Sequence, residues 1–169
     1  MMLNKLKALM IVMAVVAGLS ATARAQQDMS FVTPDGQTVT LAGLRGKVVI
    51  LLFGGVQDPQ CRDEFKALES LAERYQGKDV HIYWVSVNPA NEVSNSQLKN
   101  PCGPVSSVVV LRDQNQAAFK RFSGKVAQLP TIVVLNKQGE AQGQPRGGFN
   151  PNSDFINDLA AMIDSLLTR

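Results

Sequence analysis

An unbroken run of six apolar residues, Val48–Phe53, is the feature that most constrains the fold of this chain. A run of that length suits a strand covered on both faces, as in a sheet flanked by helices. The sequence then changes to helical spacing over residues 59–76. Apolar side chains recur there every three or four residues, which puts them on one helix face: Cys61, Phe65, Leu68, Ala72 and Tyr75. The chain is therefore predicted to contain a buried strand that leads into an amphipathic helix.

The rest of the chain repeats this alternation of strand and helix. Pro-Asp-Gly at residues 34–36 is a turn signal, so a hairpin is predicted within Phe31–Leu44. Further strands are predicted at Val80–Val87, Val108–Leu111, Thr131–Leu135 and 140–148, and further helices at Gln114–Phe122 and Asn152–Leu167. Alternation favours parallel strands, and the last two strands form a hairpin that makes the sheet mixed. The predicted fold class is α/β, with three α/β/α layers, a mixed central sheet and an N-terminal β-hairpin.

The first 25 residues have the layout of a signal peptide that is removed after export. Lys5 and Lys7 precede an uncharged run from Ala8 to Leu19, and Ala23-Arg24-Ala25 has the small-x-small pattern of a cleavage site. The apolar run is shorter than the roughly 20 residues that a membrane span needs. We therefore expect a periplasmic protein with no stable membrane span after cleavage, and a single domain over residues 26–169.

Charge and composition exclude several classes of function. Three of the 17 basic residues and none of the 14 acidic residues lie in residues 1–25, so the remainder is formally neutral. A neutral domain lacks the charge of a nucleic-acid-binding surface, so no nucleic-acid partner is expected. Two cysteines and one histidine are too few for a self-contained zinc or iron–sulfur site, which takes about four such ligands. We expect neither a metal nor another cofactor.

Three separated stretches resemble the thioredoxin fold, and within it the TlpA/ResA-like periplasmic thiol–disulfide (redoxin) family. Leu44–Phe53 is similar to the Gly-Lys segment and first core strand of that family, and Gln128-Leu129-Pro130-Thr131 is similar to its cis-proline loop. Residues 88–114 resemble its inserted segment. The resemblance covers residues 30–168 and implies exchange of disulfides with periplasmic protein thiols. It also implies that Leu129 and Pro130, with a cis bond between them, bind extended polypeptide segments.

The active-site motif of the family is altered in this chain. The family carries an aromatic residue and then Cys-x-x-Cys, whereas this chain has Gln57-Asp58-Pro59-Gln60-Cys61. In such a motif the first thiol, activated at a helix N-terminus, attacks, and the second resolves the mixed disulfide. Asp58 stands in the first position, so ordinary dithiol turnover is not expected. Asp58 also suits a helix cap that accepts a hydrogen bond from the N–H of Gln60 or Cys61, with Pro59 in the first turn.

Cys102 is the possible second thiol. Cys61 follows a predicted strand and Cys102 precedes one, which favours opposite edges of the sheet, roughly 17–20 Å apart. A disulfide needs Cα atoms within about 7 Å of each other. Folding back of the loop at 101–104, which would pair the two cysteines, and pairing of Cys102 with another molecule both stay open.

Two functions follow from these residues. In the first, an exported thioredoxin-like redox protein performs at most monothiol exchange through Cys61, with a resolving thiol from elsewhere. In the second, a redox-inactive module binds exported proteins through the helix end at Gln57, Asp58 and Pro59 and the loop at Leu129 and Pro130.

Overall fold

The computed structural model describes residues 29–103, 108–124, 128–148 and 153–169. The predicted signal peptide at 1–25 lies outside these residues. Within the described ranges, no helix combines the length and apolar character needed to cross a membrane.

The described part of the chain contains seven strands and four α-helices, with short 3-10 turns at Ala42–Leu44 and Gln114–Gln116. The strands are β1 Ser30–Val32, β2 Thr38–Thr40, β3 Val48–Gly54, β4 Val80–Ser86, β5 Val109–Arg112, β6 Thr131–Leu135 and β7 Ala141–Gly147. The helices are α1 Cys61–Arg74, α2 Asn95–Leu98, α3 Ala117–Ser123 and α4 Ser153–Leu167. The observed elements follow the predicted order, and α1 begins two residues later than the predicted helix start at residue 59.

The strands form one mixed sheet in the order β2-β1-β5-β4-β3-β6-β7. Strands β3, β4 and β5 are parallel, while the β1–β2, β1–β5, β3–β6 and β6–β7 pairs are antiparallel. The N-terminal hairpin turns at Gly36, whose φ of 86° is a left-handed conformation that suits glycine. The predicted mixed sheet and N-terminal hairpin are confirmed.

Helices cover both faces of the sheet. Every residue of β3 is buried, and alternate side chains enter two different apolar clusters. On one face Val48, Ile50 and Leu52 pack with residues of α1 and α4, and on the other Val49, Leu51 and Phe53 pack with residues of α3. This arrangement is the predicted three-layer α/β/α architecture, and it explains why an unbroken apolar run was needed at the centre of the sheet.

Three connections meet at one edge of this sheet. The parallel strands β3 and β4 end side by side, with Gly54 paired to Ser86. Strand β6 begins at the same edge, because Thr131 pairs antiparallel with Phe53. The loop into α1, the connection that leaves β4 and the loop before β6 are therefore neighbours. Such an edge is where binding and catalytic groups collect in α/β proteins.

Candidate functional site

A disulfide joins Cys61 to Cys102 at this edge. The two residues are 41 positions apart in the sequence, and their Cα atoms are 5.7 Å apart. Cys61 is the first residue of α1 and is only 3% exposed, whereas Cys102 is partly exposed. These are the only two cysteines of the chain, so neither is a free thiol. The prediction that they lie toward opposite edges of the sheet was wrong.

The path of the connection between β4 and β5 explains that error. Cys102 does not adjoin the start of β5, because it lies seven positions before Val109. Seven residues span up to about 23 Å when extended, which is enough to cross the height of the sheet. The connection can therefore place Cys102 near the end of β3 and still bring the chain back to the start of β5.

The turn before α1 contains the segment from Gln57 to Gln60. The Asp58 carboxylate accepts a hydrogen bond from the Gln60 N–H at 2.9 Å, which is one of the two bonds predicted for it. The Asp58 carbonyl accepts from the Cys61 N–H at 3.0 Å. Because the helix begins at Cys61, Asp58 and Pro59 belong to the preceding turn instead of the cap and first turn. Gln57 and Pro59 are exposed and Asp58 is half-buried, so this turn presents polar surface beside the disulfide.

Glu64 is a site residue that the sequence interpretation missed. It lies one helical turn after Cys61 and is fully buried. Its Oε2 accepts a hydrogen bond from Trp84 Nε1 at 2.9 Å, and its Oε1 has no hydrogen-bond partner among the described residues. Burial raises the pKa of Glu64 to about 7, with the Trp84 hydrogen bond opposing the rise and the charge of Asp58 adding to it. A buried carboxyl group with a pKa of about 7 therefore lies one helical turn after the disulfide-bonded Cys61.

A spacing signal for Glu64 was present in the sequence. It is three positions after Cys61 and four before Leu68, so it shares their face of the helix. Gly54 at the end of β3 makes room for it, because a Cβ there would lie 2.9 Å from both Glu64 Oε2 and Trp84 Nε1. In the described ranges, no three His, Cys, Asp or Glu side chains are grouped so as to hold a metal ion.

The loop at Leu129 and Pro130 completes this edge. The peptide bond between the two residues is cis, with Pro130 buried and Leu129 half-buried. The Pro130 carbonyl accepts from the Gly148 N–H at 2.9 Å, and the Thr131 hydroxyl donates to the Gln128 carbonyl. Since Thr131 pairs with the residue before Gly54, the loop adjoins the end of β3.

The fold defines a thioredoxin-like protein, here with a disulfide at the edge where β3 ends, and comparisons with known proteins agree on the fold. The AhpC/TSA family profile matches residues 22–143, so the chain belongs to this redoxin family. The thiol-disulfide oxidoreductase ResA of Halalkalibacterium halodurans is 28% identical over 126 residues, which cover 73% of this chain and 69% of that protein.

Solved structures show the same fold. An exposed lipoprotein thioredoxin from Streptococcus pneumoniae superposes with a TM-score of 0.66 at 19% identity, covering 81% of this chain and 98% of that one. A putative thiol:disulfide interchange protein DsbE from Chlorobium tepidum gives a TM-score of 0.66 at 20% identity, covering 84% of this chain and 94% of that one. These likenesses confirm the thioredoxin-like fold class.

Proposed function

We propose that this chain carries out thiol–disulfide exchange through a redox couple formed by Cys61 and Cys102. The observation that carries the proposal is the disulfide between them at the start of α1. Because Asp58 lies three positions before Cys61, the chain has no Cys-x-x-Cys pair. Cys102, on the connection between β4 and β5, supplies the second sulfur instead. The resolving thiol that the sequence interpretation sought in another molecule is then part of the same chain. The resemblance to ResA supports this class of chemistry.

The difference in exposure between the two sulfurs sets the order of events. A thiolate of a reduced partner attacks the Cys102 sulfur, because Cys102 is partly exposed and Cys61 is 3% exposed. The Cys61–Cys102 bond breaks, its electron pair goes to Cys61, and a mixed disulfide joins the partner to Cys102. A second thiolate of the partner then attacks the partner's own sulfur and releases Cys102 as a thiolate. The partner is oxidised by two electrons, and Cys61 and Cys102 are reduced.

Glu64 donates a proton to the buried Cys61 sulfur and accepts it back. The Cys61 thiolate forms at the N-terminus of α1, a position that favours an anion. Residues three apart on a helix have Cβ atoms about 5–6 Å from each other, so Glu64 lies close to Cys61. With a pKa of about 7, Glu64 holds a proton for part of the time at neutral pH. It can give that proton to the leaving thiolate and take it back when the disulfide forms again.

The substrates under this proposal are protein thiols or disulfides in extended segments. The polar turn at Gln57–Gln60 and the loop at Leu129 and Pro130 flank the disulfide at one sheet edge. Backbone groups of a loop next to a strand can pair with an extended chain. We assign the binding of the partner segment to these two loops.

Export is part of the same proposal. The charged, apolar and small-residue zones of residues 1–25 support a cleaved signal peptide and a periplasmic location. Disulfides persist in that compartment, whereas the cytosol reduces them. Mass spectrometry of the protein purified from a periplasmic fraction should give a chain that starts at Gln26. A full-length chain in the cytosolic fraction would contradict export.

The exchange itself is tested with two single-cysteine variants. Each reduced variant is mixed with a disulfide-linked peptide, quenched in acid and weighed. Cys61→Ser should accumulate a stable mixed disulfide at Cys102, because no thiol remains to resolve it. Cys102→Ser should give far less adduct, because its Cys61 thiol is buried. Equal amounts of adduct in the two variants would overturn the proposal. It would also be overturned if neither variant forms an adduct and a peptide dithiol fails to reduce the wild-type disulfide.

The low exposure of Cys61 favours one competing function, the redox-inactive binding module. In that case the disulfide only fixes the connection between β4 and β5. Peptides would then bind at the Pro130 loop, and the disulfide would stay oxidised in their presence. Titration of a labelled peptide without cysteines into wild-type protein and Cys61→Ser separates binding from exchange.

A further inference from the structure

An arginine of the neighbouring strand fixes the connection that carries Cys102. Arg112 is the last residue of β5 and is 5% exposed. Its Nη1 donates a hydrogen bond to the Asn88 carbonyl at 2.9 Å. Its Nη2 donates to the Val93 carbonyl at 2.6 Å and to Asn95 Oδ1 at 3.1 Å. All three acceptors lie on the chain between β4 and Cys102, so one side chain anchors this connection at three points.

The partners of Arg112 indicate that its role is geometric. No carboxylate lies within ion-pair distance of it in the described part of the chain. The adjacent Asp113 is used elsewhere, since its carboxylate accepts from the N–H groups of Ala118 and Phe119 at 3.0 and 2.7 Å. Burial lowers the pKa of Arg112, so its charge is held inside the protein at a cost. The planar guanidinium directs several donors in fixed directions, which a flexible ammonium does not.

The segment from Asn95 to Cys102 is itself fixed in place, so the contacts of Arg112 also limit the movement of the Cys102 sulfur. Ser94 caps α2, because its hydroxyl accepts from the Gln97 N–H at 3.2 Å while Gln97 Oε1 accepts from the Ser94 N–H at 2.8 Å. Leu98 is fully buried and Pro101 is buried directly before Cys102. A capped turn and two buried side chains therefore connect the arginine contacts to the disulfide.

We infer that Arg112 is a positioning residue that holds Cys102 beside Cys61 when the disulfide is reduced, and thereby sets the reduction potential of the couple. The inference rests on the proposed function in one respect, the reversibility of the disulfide. The two sulfurs come from elements 41 residues apart, so the effective concentration of one thiol at the other depends on how firmly the connection is held. Loss of the arginine contacts lets Cys102 move away and makes the disulfide easier to reduce.

The test compares reduction potentials of Arg112→Gln and the wild type. Each protein is equilibrated in dithiothreitol redox buffers, alkylated and weighed, which gives the fraction oxidised at each potential. Arg112→Gln should have a higher, less reducing potential, and each tenfold loss of effective concentration corresponds to about 30 mV.

The matched control is Arg74→Gln. It also removes a guanidinium and its bond, here from Arg74 Nη2 to Asp164 Oδ2 at 3.3 Å, at the opposite end of α1. Its potential should equal that of the wild type. Thermal unfolding of each reduced protein establishes that the proteins compared are folded.

Asn95→Ala decides the question if Arg112→Gln does not fold. This substitution removes the Asn95 acceptor, one of the three that bind Arg112, from an exposed side chain. It should raise the reduction potential by less than Arg112→Gln does. An unchanged potential in the folded variants would overturn the inference and leave Arg112 a role in stability alone. The proposed function fails differently, through absence of exchange with peptides, whatever the potential of the disulfide.

Discussion

Two connections leave the same edge of the sheet, and they contribute to the candidate site in different ways. The short one, residues 55–60, joins β3 to α1 and carries Asp58, three positions before Cys61. The long one, residues 87–108, joins β4 to β5 and carries Cys102. The candidate site is therefore divided between two connections.

The contacts that fix each connection explain why one was predictable and the other was not. The short connection is held by local bonds, such as those from the Asp58 N–H to the Gly55 carbonyl at 3.1 Å and from the Gln60 N–H to Asp58 Oδ1 at 2.9 Å. The long connection is held by Arg112, which lies 17 or more residues from its acceptors. Asn88 joins the two, because its Oδ1 accepts from the Val56 N–H at 3.0 Å. Local bonds follow from local sequence, and long-range anchoring does not.

Removal of the Cys102 sulfur, on the long connection, should have the largest effect on activity. Cys102→Ser should reduce disulfide exchange with a dithiol peptide to the rate without protein, since no intramolecular disulfide can form. Adding Asp58→Cys to this variant creates a Cys-x-x-Cys pair with Cys61 and should bring exchange back. Peptide oxidation followed by mass spectrometry measures both. Full activity in Cys102→Ser would show that the long connection is not part of the site.

The pH dependence of stability tests the buried Glu64 carboxyl group in the first turns of α1, the helix that follows the short connection. Burial raises the pKa of Glu64 from 4.5 to about 7, so between these values the folded state binds its proton more tightly than the unfolded state. The stability contribution is therefore full below about pH 4.5 and falls by about 3 kcal/mol as pH rises through 7. In Glu64→Gln this loss should be absent.

Urea unfolding of both oxidised proteins at several pH values between 4.5 and 8.5 provides the comparison. The difference between wild type and variant isolates Glu64 from the other titrating groups, which the two proteins share. Parallel pH profiles for wild type and Glu64→Gln would contradict the raised pKa of this carboxyl group.

A paired glycine test examines the packing where β3 meets the short connection. Gly54→Ala places a methyl group 2.9 Å from Glu64 Oε2 and Trp84 Nε1, and such overpacking costs about 1–3 kcal/mol. Gly55→Ala is the control, since its nearest atom is Asn88 Oδ1 at an ordinary 3.6 Å. Chemical denaturation should rank Gly54→Ala well below Gly55→Ala. Equal free energies of unfolding for the two variants would mean that the buried Glu64–Trp84 pair does not pack tightly against Gly54.

The smallest expected effect concerns Asp58 in the turn before α1. Asp58→Ala removes the acceptor of the Gln60 N–H and should lower the free energy of unfolding by about 1 kcal/mol, the net contribution of one hydrogen bond. Asp58→Asn keeps an acceptor and should stay close to the wild type. If Asp58→Asn is destabilised as much as Asp58→Ala, the negative charge of Asp58 and not its hydrogen bond provides the stabilisation.

The sequence predicted the architecture well, because its signals were local and strong. The apolar run at Val48–Phe53 and the stripe along Cys61–Tyr75 correspond closely to β3 and α1. The hairpin before them was marked by its Pro-Asp-Gly turn. In each case the periodicity or turn chemistry of a few adjacent residues determines the element.

The site was predicted only in part. The bond from the Gln60 N–H to Asp58 was expected, since an aspartate side chain that accepts from a backbone N–H two residues later is a local interaction. The predicted cap was wrong, because α1 begins at Cys61. The Cys61–Cys102 disulfide was not expected, because seven positions separate Cys102 from the start of β5 and local sequence does not determine the path between them. Glu64 was missed because its partner Trp84 is 20 residues away, and a charged residue on a helix is ordinarily exposed.

A redox titration of the purified protein tests the central claim most directly. The wild-type protein is equilibrated across dithiothreitol buffers, and both cysteines are alkylated and weighed. The proposed couple predicts a single reversible transition in which Cys61 and Cys102 gain alkyl groups together, with two electrons per molecule. Alkylation of the two cysteines at independent potentials, or of both in every buffer, would contradict an intramolecular couple.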